Sequence, residues 1–422
     1  MAITILQNIQ DYLPAYNRME LLVESDNVGE PNFKYVFRLF VEGETFGGVG
    51  YKEYQVTPDA VLNYGVVDIH NLIQTFVEAD LGQFNGTSAF SYAQNSIKKY
   101  NIEIYEMWDI AGVPTINTEQ GESGDTGDLY CFEGSFNNSF WIDWDASDYF
   151  TNLTNGVNGR WLTDNLLNKV SINDLGWSYY LTDSPSDNNY IQVLTYDSAD
   201  ALISTFEINN TTSLSPTPAR FEKVTTSPQA LNNVGVGQFA VGTQPVITSS
   251  VARYTVQLFD NTAAPVSELI NFEIKEPCRY TEYRFHFENK YGAFDSFTFH
   301  GRNQKKTDMQ RTSYKTSAYP IVTGAIQRLH QEKSNVTNWT KRTEKISLIS
   351  DYLTTEENTW LEQMLYSNEI YLEFVDGSGV RNFKSVHKVT GTSWVEKETI
   401  HDKLFRLEIE VELGQEAYSQ RK

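Results

Sequence analysis

Histidines are the residues to test first for chemistry, because imidazole serves as a metal ligand and as a general base near neutral pH. None of the six histidines stands in a metal-binding spacing such as His-Glu-x-x-His. His286 and His300 lie on either side of a predicted turn in RYTEYRFHFENKYGAFDSFTFHG, residues 279–301, and could meet across two strands. No third ligand accompanies them, so the sequence favours two solvent-facing strand residues over a zinc pair.

Two acidic clusters could bind calcium. One is the DWDASD segment with Asp143, Asp145 and Asp148, and the other is the Gly-rich loop with Glu122, Asp125 and Asp128. Neither has the glycine and terminal glutamate of an EF-hand loop. The sequence favours acidic turns at both places.

Motifs for covalent or phosphate chemistry are absent from the sequence. The segment GSGV at residues 377–380 lacks the Lys-Ser/Thr pair of a phosphate-binding loop, and no Gly-x-Ser-x-Gly elbow occurs. With 55 acidic residues, paired carboxylates for glycoside hydrolysis are too numerous to be informative. The sequence therefore predicts no enzyme, no cofactor and no metal.

Trp141, Trp144 and Trp177 could build an aromatic platform for a sugar ring. Tryptophan in a β domain more often packs in the core. A host-glycan-binding adhesion module is thus an alternative function that would require these rings to be exposed and coplanar.

A basic stretch stands out in an otherwise acidic chain. Residues 302–345 carry ten lysines and arginines against three acids, while the whole chain has a net charge of −22. We expect an irregular segment whose cations contact acidic surfaces of neighbouring subunits. The candidate subunit-interface residues are Arg302, Lys305, Lys306, Arg311 and Lys315. The alternatives are a solvated loop and contact with DNA passing through a channel.

Composition limits the class of protein. The acidic surface repels phosphate and argues against sequence-specific nucleic-acid binding. With 25 Tyr and 24 Phe, the chain favours strands and broad contact surfaces. Cys131 and Cys278 are expected to be two buried free thiols, although a disulfide between them stays open. No classical signal peptide or apolar run of membrane-spanning length is found, so we expect synthesis in a cytoplasm without membrane insertion.

Periodicity predicts the elements. Tyr283, Phe285 and Phe287 alternate with polar residues before the turn Asn289-Lys290-Tyr291-Gly292, which indicates a hairpin. Thr354 and Glu357 have the spacing of a helix capping box before Trp360, Leu361, Met364 and Leu365. Residues 405–413 alternate cleanly as a strand.

The expected fold is mainly β, with two or three sandwich-like or barrel-like domains and a small α+β C-terminal domain that contains one clear helix. The predicted domains are an N-terminal β domain at 1–115, a middle β region at 116–275 and the α+β domain at 276–422.

Three segments carry a family resemblance: the opening MAITILQNIQDYLPAYNRMELLVES, the central CRYTEYRFHFENKYGAFDSFTF and the closing KLFRLEIEVELGQEAYSQR. They resemble virion structural proteins of tailed phages that infect Bacteroidetes-type hosts. The resemblance implies a non-enzymatic β-rich protein of the tail or baseplate, localised to the virion, that forms a homo-oligomeric ring and contacts other virion proteins. A head vertex or decoration protein is the alternative within this class. The resemblance transfers no catalytic residues, and it leaves symmetry, copy number and direct neighbours open.

Overall fold

A computed structural model describes residues 3–82, 86–117, 124–151, 159–182, 190–211, 221–276, 279–315, 321–326, 335–378, 381–390, 405–414 and 418–421. It confirms the predicted fold class, since the chain is mainly β with several sheets and one clear helix near its C-terminal end. The chain divides into two compact units, residues 1–275 with 288–295 and residues 276–287 with 296–422. The predicted division at residue 115 stays a prediction.

The first unit is built from many short strands. In chain order they are β1 (Ile3–Gln7), β2 (Tyr12–Pro14), β3 (Glu20–Ser25), β4 (Lys34–Val41), β5 (Lys52–Val56), β6 (Gly65–Asp68), β7 (Phe90–Tyr92), β8 (Ile97–Ile110), β9 (Val113–Asn117), β10 (Gly124–Asp125), β11 (Leu129–Phe132), β12 (Leu167–Val170), β13 (Trp177–Leu181), β14 (Tyr190–Tyr196), β15 (Leu202–Asn209), β16 (Phe221–Thr225), β17 (Phe239–Val241), β18 (Arg253–Phe259) and β19 (Ile270–Ile274).

These strands form four sheets. Their orders are β1-β3-β6, β2-β11-β8-β4-β5 with β9 and β10 also on β8, β12-β19-β18-β14-β15-β17, and β13-β16-β7. Helical segments are short: α1 (His70–Ile73), α2 (Asn138–Ile142), α3 (Pro228–Asn233) and 3₁₀ turns at Gln94–Ser96, Ala146–Asp148 and Val236–Gln238. Alternate residues of β14 and β18 are buried in one apolar cluster, as expected for strands with one face on a core.

The second unit consists of an eight-stranded sheet, a separate two-stranded sheet and a helix that packs against the larger sheet. Its strands are β20 (Tyr283–Glu288), β21 (Phe294–Phe299), β22 (Asn303–Lys315), β23 (Ile321–Val322), β24 (Ala325–Ile326), β25 (Asn335–Leu353), β26 (Ile370–Val375), β27 (Arg381–Thr390), β28 (Phe405–Leu413) and β29 (Tyr418–Arg421). The helix consists of α4 (Thr355–Leu361) followed directly by α5 (Gln363–Tyr366). The sheet order is β21-β20-β26-β27-β28-β25-β22, and β29 pairs with β25. Among the described strands, β23 pairs with β24 alone.

Chain connectivity makes this sheet curl. β21 and β22 stand at opposite ends of the strand order, yet only residues 300–302 link them. A link of that length spans about 15 Å at most, so the two ends of the order must approach each other. The apolar cluster of this unit draws on β20, β21, β25, β26, β27 and β28 and on the helix.

The predicted hairpin and its cover are confirmed. β20 and β21 are neighbours, and Gly292 adopts φ 70° in the turn between them. Phe287 and Phe297 lie 5.5 Å and 6.2 Å from Trp360, ring centroid to ring centroid. Leu407, Ile409 and Val411 of β28 complete the same cluster with Leu361 and Met364. The capping box of Thr354 and Glu357 is also present in both directions.

Among the described residues, no helix has the length and apolar character needed to cross a membrane.

Candidate functional site

The basic stretch is a long strand pair in its described part, so the expectation of an irregular segment is wrong. β22 pairs antiparallel with β25, from Asn303 opposite Leu348 to Lys315 opposite Asn335. We call β22 and residues 335–345 of β25 the β-arm. A one-residue bulge on β25 lies opposite Thr312 and Ser313, and β22 itself is uninterrupted.

β22 is the edge strand of the arm. β25 pairs on its other side with β28 at the root and with β29 farther out, whereas β22 has β25 as its only partner among the described strands. Almost every residue of β22 is exposed, including the apolar Met309 at 61% and Tyr314 at 52%. An exposed strand of this length with one free edge is a template for pairing with another chain.

Strand geometry places four of the five predicted interface residues on the two faces of β22. Side chains alternate between the two faces of a strand, so Lys305, Arg311 and Lys315 share one face of β22 and Lys306 lies on the other. Arg302 precedes the strand. The structure thus brings three of the five together.

The face with Lys306 neutralises its own charge. Asp308 Oδ1 lies 3.6 Å from Lys306 Nζ, and Asp308 Oδ2 lies 3.0 Å from Lys345 Nζ. Lys345 also reaches Glu410 of β28 at 3.5 Å. The hydrogen bond from Lys345, followed by the nearby charges of Lys306 and Lys345, lowers the pKa of Asp308 even though the carboxyl is solvated.

The other face keeps its cations available. Arg302, Lys305, Arg311 and Lys315 make no ion pair with any residue that the structure describes. Lys305 Nζ lies 5.8 Å from the ring centroid of Tyr283, at the outer limit of a cation–π contact. This face can attract an anionic surface.

A shallow pocket lies where β28 ends beside β25. Its volume is about 200 Å³, below the range of typical small-molecule sites. The lining is polar and solvent-open: Lys341, Arg342, Thr343, His387, Glu412, Leu413 and Gly414.

His286 is fully buried, which corrects the expectation that it faces solvent. Its Nδ1 lies 2.8 Å from Ser296 Oγ, and its Nε2 lies 3.2 Å from Glu373 Oε2. Desolvation, followed by the charges of Arg284 and Arg381, holds the pKa of His286 well below its usual range. Glu373 in turn pairs with Arg381 and lies 3.8 Å from Arg284.

Ser296, His286 and Glu373 are the residue types of a nucleophilic triad. The imidazole is 0% exposed, so neither ring nitrogen can reach a substrate. The bonds run from β20 to β21 and to β26, and Arg284 adds a bond of 2.9 Å to Thr298 Oγ1. This arrangement joins three neighbouring strands and satisfies buried charge.

His300 is also buried, and its Nδ1 lies 3.3 Å from Glu282 Oε1. The expectation that it faces solvent is therefore wrong as well. The two histidines bind different carboxylates. Within the described part of the chain, no group of three or more potential ligands could hold a metal ion.

The acidic clusters have local roles. Asp145 accepts a hydrogen bond from Ser147 N at the start of a 3₁₀ turn, and Asp125 accepts one from Gly127 N. Asp128 pairs with Lys99 at 2.6 Å. Glu122 lies outside the described residues.

Core packing is confirmed for Trp144 and Trp177, both of which are buried. Trp144 packs against Phe132, Phe136 and Tyr149 with ring centroids 4.7–5.7 Å apart. Trp141 is half-buried. A three-ring sugar platform is therefore not formed.

Cys131 is a buried free thiol, as expected. Burial raises its pKa to about 12, so the reactive thiolate is suppressed. Cys278 lies outside the described residues.

Sequence reasoning missed Glu373, Ser296 and the buried Glu222. Glu373 and Ser296 contact His286 from two other strands, and contacts of this kind leave no local pattern in the sequence. The comparisons with known proteins add no identification: no protein-family model matches the chain, and no curated protein matches it.

Proposed function

We propose that the chain is a non-enzymatic structural protein of a tailed-phage virion, a tail or baseplate component that assembles with copies of itself and with neighbouring virion proteins. The observation that carries the proposal is the β-arm, whose edge strand β22 is long, exposed and cationic. The three segments that resemble phage virion proteins provide the virion setting.

Energetics support a partner for the arm. A two-stranded ribbon in water is marginally stable by itself. β28 pairs with β25 only up to Lys345, so the outer part of the arm, residues 309–315 and 335–342, is not paired with β28. In the described chain, β29 is the only other strand that pairs with this outer part. A contact that covers the ribbon would offset the cost of ordering it.

Chemistry of the described residues does not favour a hydrolase. The one triad-like arrangement is sealed, and the shallow pocket beside β28 is small and open. Burial of Trp144 and Trp177 likewise disfavours the adhesion module.

Two measurements test the proposal. Native mass spectrometry of the purified chain should give an oligomer, and antibodies against the chain should label the tail or baseplate of particles in electron micrographs. Label on the head would place the protein at a vertex instead. A monomer at the highest soluble concentration, together with unlabelled particles, would contradict a structural role.

A further inference from the structure

The free edge of β22 is the feature from which a specific mode of assembly follows. In an antiparallel ladder, alternate residues direct their N–H and C=O groups away from the paired neighbour. Along the 13 residues of β22, these outward groups face no described strand. They can accept one further strand.

Edge strands are often protected by lysine, by proline or by a bulge. β22 has lysines, but it has no proline and its bulge is on the partner strand. Its exposed Met309 and Tyr314 would be a poor choice for a strand meant only to repel other chains. The edge is therefore regular enough to pair.

We propose that the free edge of β22 receives an acidic edge of a second copy of this chain in a head-to-tail contact, so that assembly proceeds to a ring or filament and not to a twofold dimer. This inference rests on the proposed function and specifies its contact.

The distribution of charge favours a head-to-tail contact over a contact between two arms. The β-arm carries Lys305, Lys306, Arg311, Lys315, Lys341, Arg342 and Lys345 against Asp308 and Glu344, a net charge of +5. Two β22 strands paired with each other would set like charges side by side, which is destabilising. With the whole chain at −22, the part outside the β-arm carries −27. An arm is thus complementary to the rest of another copy.

A contact between two different surfaces is heterologous. Such contacts close into rings or continue as filaments, whereas a self-complementary patch gives a twofold dimer. The number of copies follows from the rotation between neighbours.

The first experiment compares Arg311→Glu/Lys315→Glu with the matched control Arg18→Glu/Lys52→Glu. All four residues are exposed, and both variants change the net charge equally. We expect the arm variant to weaken self-association by about tenfold or more while the control assembles like wild type. Circular dichroism melting checks that both variants are folded. An arm variant that assembles like wild type overturns the inference and leaves the proposed function standing.

The second experiment separates the two contact modes by mixing wild type with isotope-labelled arm variant. In a head-to-tail contact the variant loses a functional arm but keeps the surface that binds the arm of another copy. It can therefore join an assembly but cannot extend it, and native mass spectrometry should show shortened assemblies that contain both species. A twofold arm-to-arm contact predicts 1:1 heterodimers, which would overturn the inference.

Hydrogen exchange tests the strand pairing itself. We expect the amides of residues 303–315 to exchange more slowly in the wild-type assembly than in the unassembled arm variant. Unchanged exchange there would overturn strand addition. A wild-type chain that stays monomeric would overturn the inference, and the proposed function would fall with it only if the antibodies also leave the particles unlabelled.

Discussion

Glu222 shows how burial sets the behaviour of a single side chain. This carboxyl lies in β16, fully buried, and accepts a hydrogen bond from the Tyr180 hydroxyl. Desolvation raises its pKa to about 7, and the hydrogen bonds from Tyr180 and Asn210 oppose that rise only in part. The ionised form is therefore costly in the folded chain.

Glu222→Gln should remove this cost because the amide oxygen can still accept from Tyr180. Between pH 4.5 and 7 the unfolded chain has released a proton that folded Glu222 keeps, so wild-type stability falls as pH rises through this window. The rise of the Glu222 pKa from 4.5 to about 7 corresponds, at 1.36 kcal/mol per pKa unit, to about 3 kcal/mol. We expect the variant to be more stable than wild type by about this amount at pH 8 and to match wild type at pH 4. Urea unfolding at both pH values measures this.

The half-buried Glu207 on β15 supplies the control, since Glu207→Gln should change stability little at either pH. A variant at position 222 that is no more stable at pH 8 than wild type would contradict the account of burial.

The residue scale is also where sequence reasoning was weakest. Alternation correctly placed His286 on the face of β20 opposite its apolar residues. The inference that this opposite face is exposed to solvent was wrong, because all six residues of β20 are buried. Glu373 and Ser296 hold the ring, and Glu373 is 87 residues away in sequence. No local pattern encodes a contact of that separation.

At the scale of elements, the capping box of α4 offers a clean test. Thr354→Ala removes the acceptor for Glu357 N, a hydrogen bond of 3.2 Å. Loss of such a cap costs about 1 kcal/mol. We therefore expect residues 355–366 to exchange amide hydrogens about fivefold faster, as measured by mass spectrometry of peptides.

Thr359→Ala is the matched control in the same helix. Thr359 is exposed and only donates back to Thr355 O at 3.0 Å, so its removal should leave exchange almost unchanged. Equal effects of the two substitutions would show that the cap does not stabilise the helix.

Elements with an apolar face were predictable. Residues 405–413 form β28 as their alternation predicts, with Leu407, Ile409 and Val411 in the apolar cluster. The β-arm was missed because β22 buries neither face and so has no alternation to detect. Its order comes from backbone pairing, which any polar sequence of adequate β propensity can supply.

At the scale of the whole molecule, two opposite effects of charge act on assembly. Copies with a net charge of −22 repel one another over long distances, while the cationic arm attracts at contact. The screening length falls from about 30 Å at 0.01 M salt to about 8 Å at 0.15 M and about 3 Å at 1 M. Moderate salt screens the long-range repulsion between the acidic copies first, because that repulsion acts over the larger distance. High salt then also weakens the attraction between the cationic arm and the acidic surface.

We therefore expect self-association to be strongest near physiological salt and weaker at both 0.01 M and 1 M, as measured by sedimentation velocity at about these concentrations. The Arg311→Glu/Lys315→Glu variant should lack the maximum. Association that increases steadily up to 1 M salt would indicate an apolar contact instead.

The two compact units are not consecutive stretches of the chain. Residues 288–295 belong to the first unit, while the residues on either side of them belong to the second. Composition and strand spacing predicted the β class, but nothing in the sequence predicts that residues 288–295 group with the first unit. Units of this kind are defined by tertiary contacts.

The place of β28 in the sheet imposes an order in time on the second unit. β25 and β27 are neighbours only through β28, which is made after both of them. A nascent chain that has not reached residue 413 cannot close the sheet at the root of the β-arm. The arm strands β22 and β25 are therefore synthesised before β28, the strand whose backbone pairing joins them to the rest of the sheet.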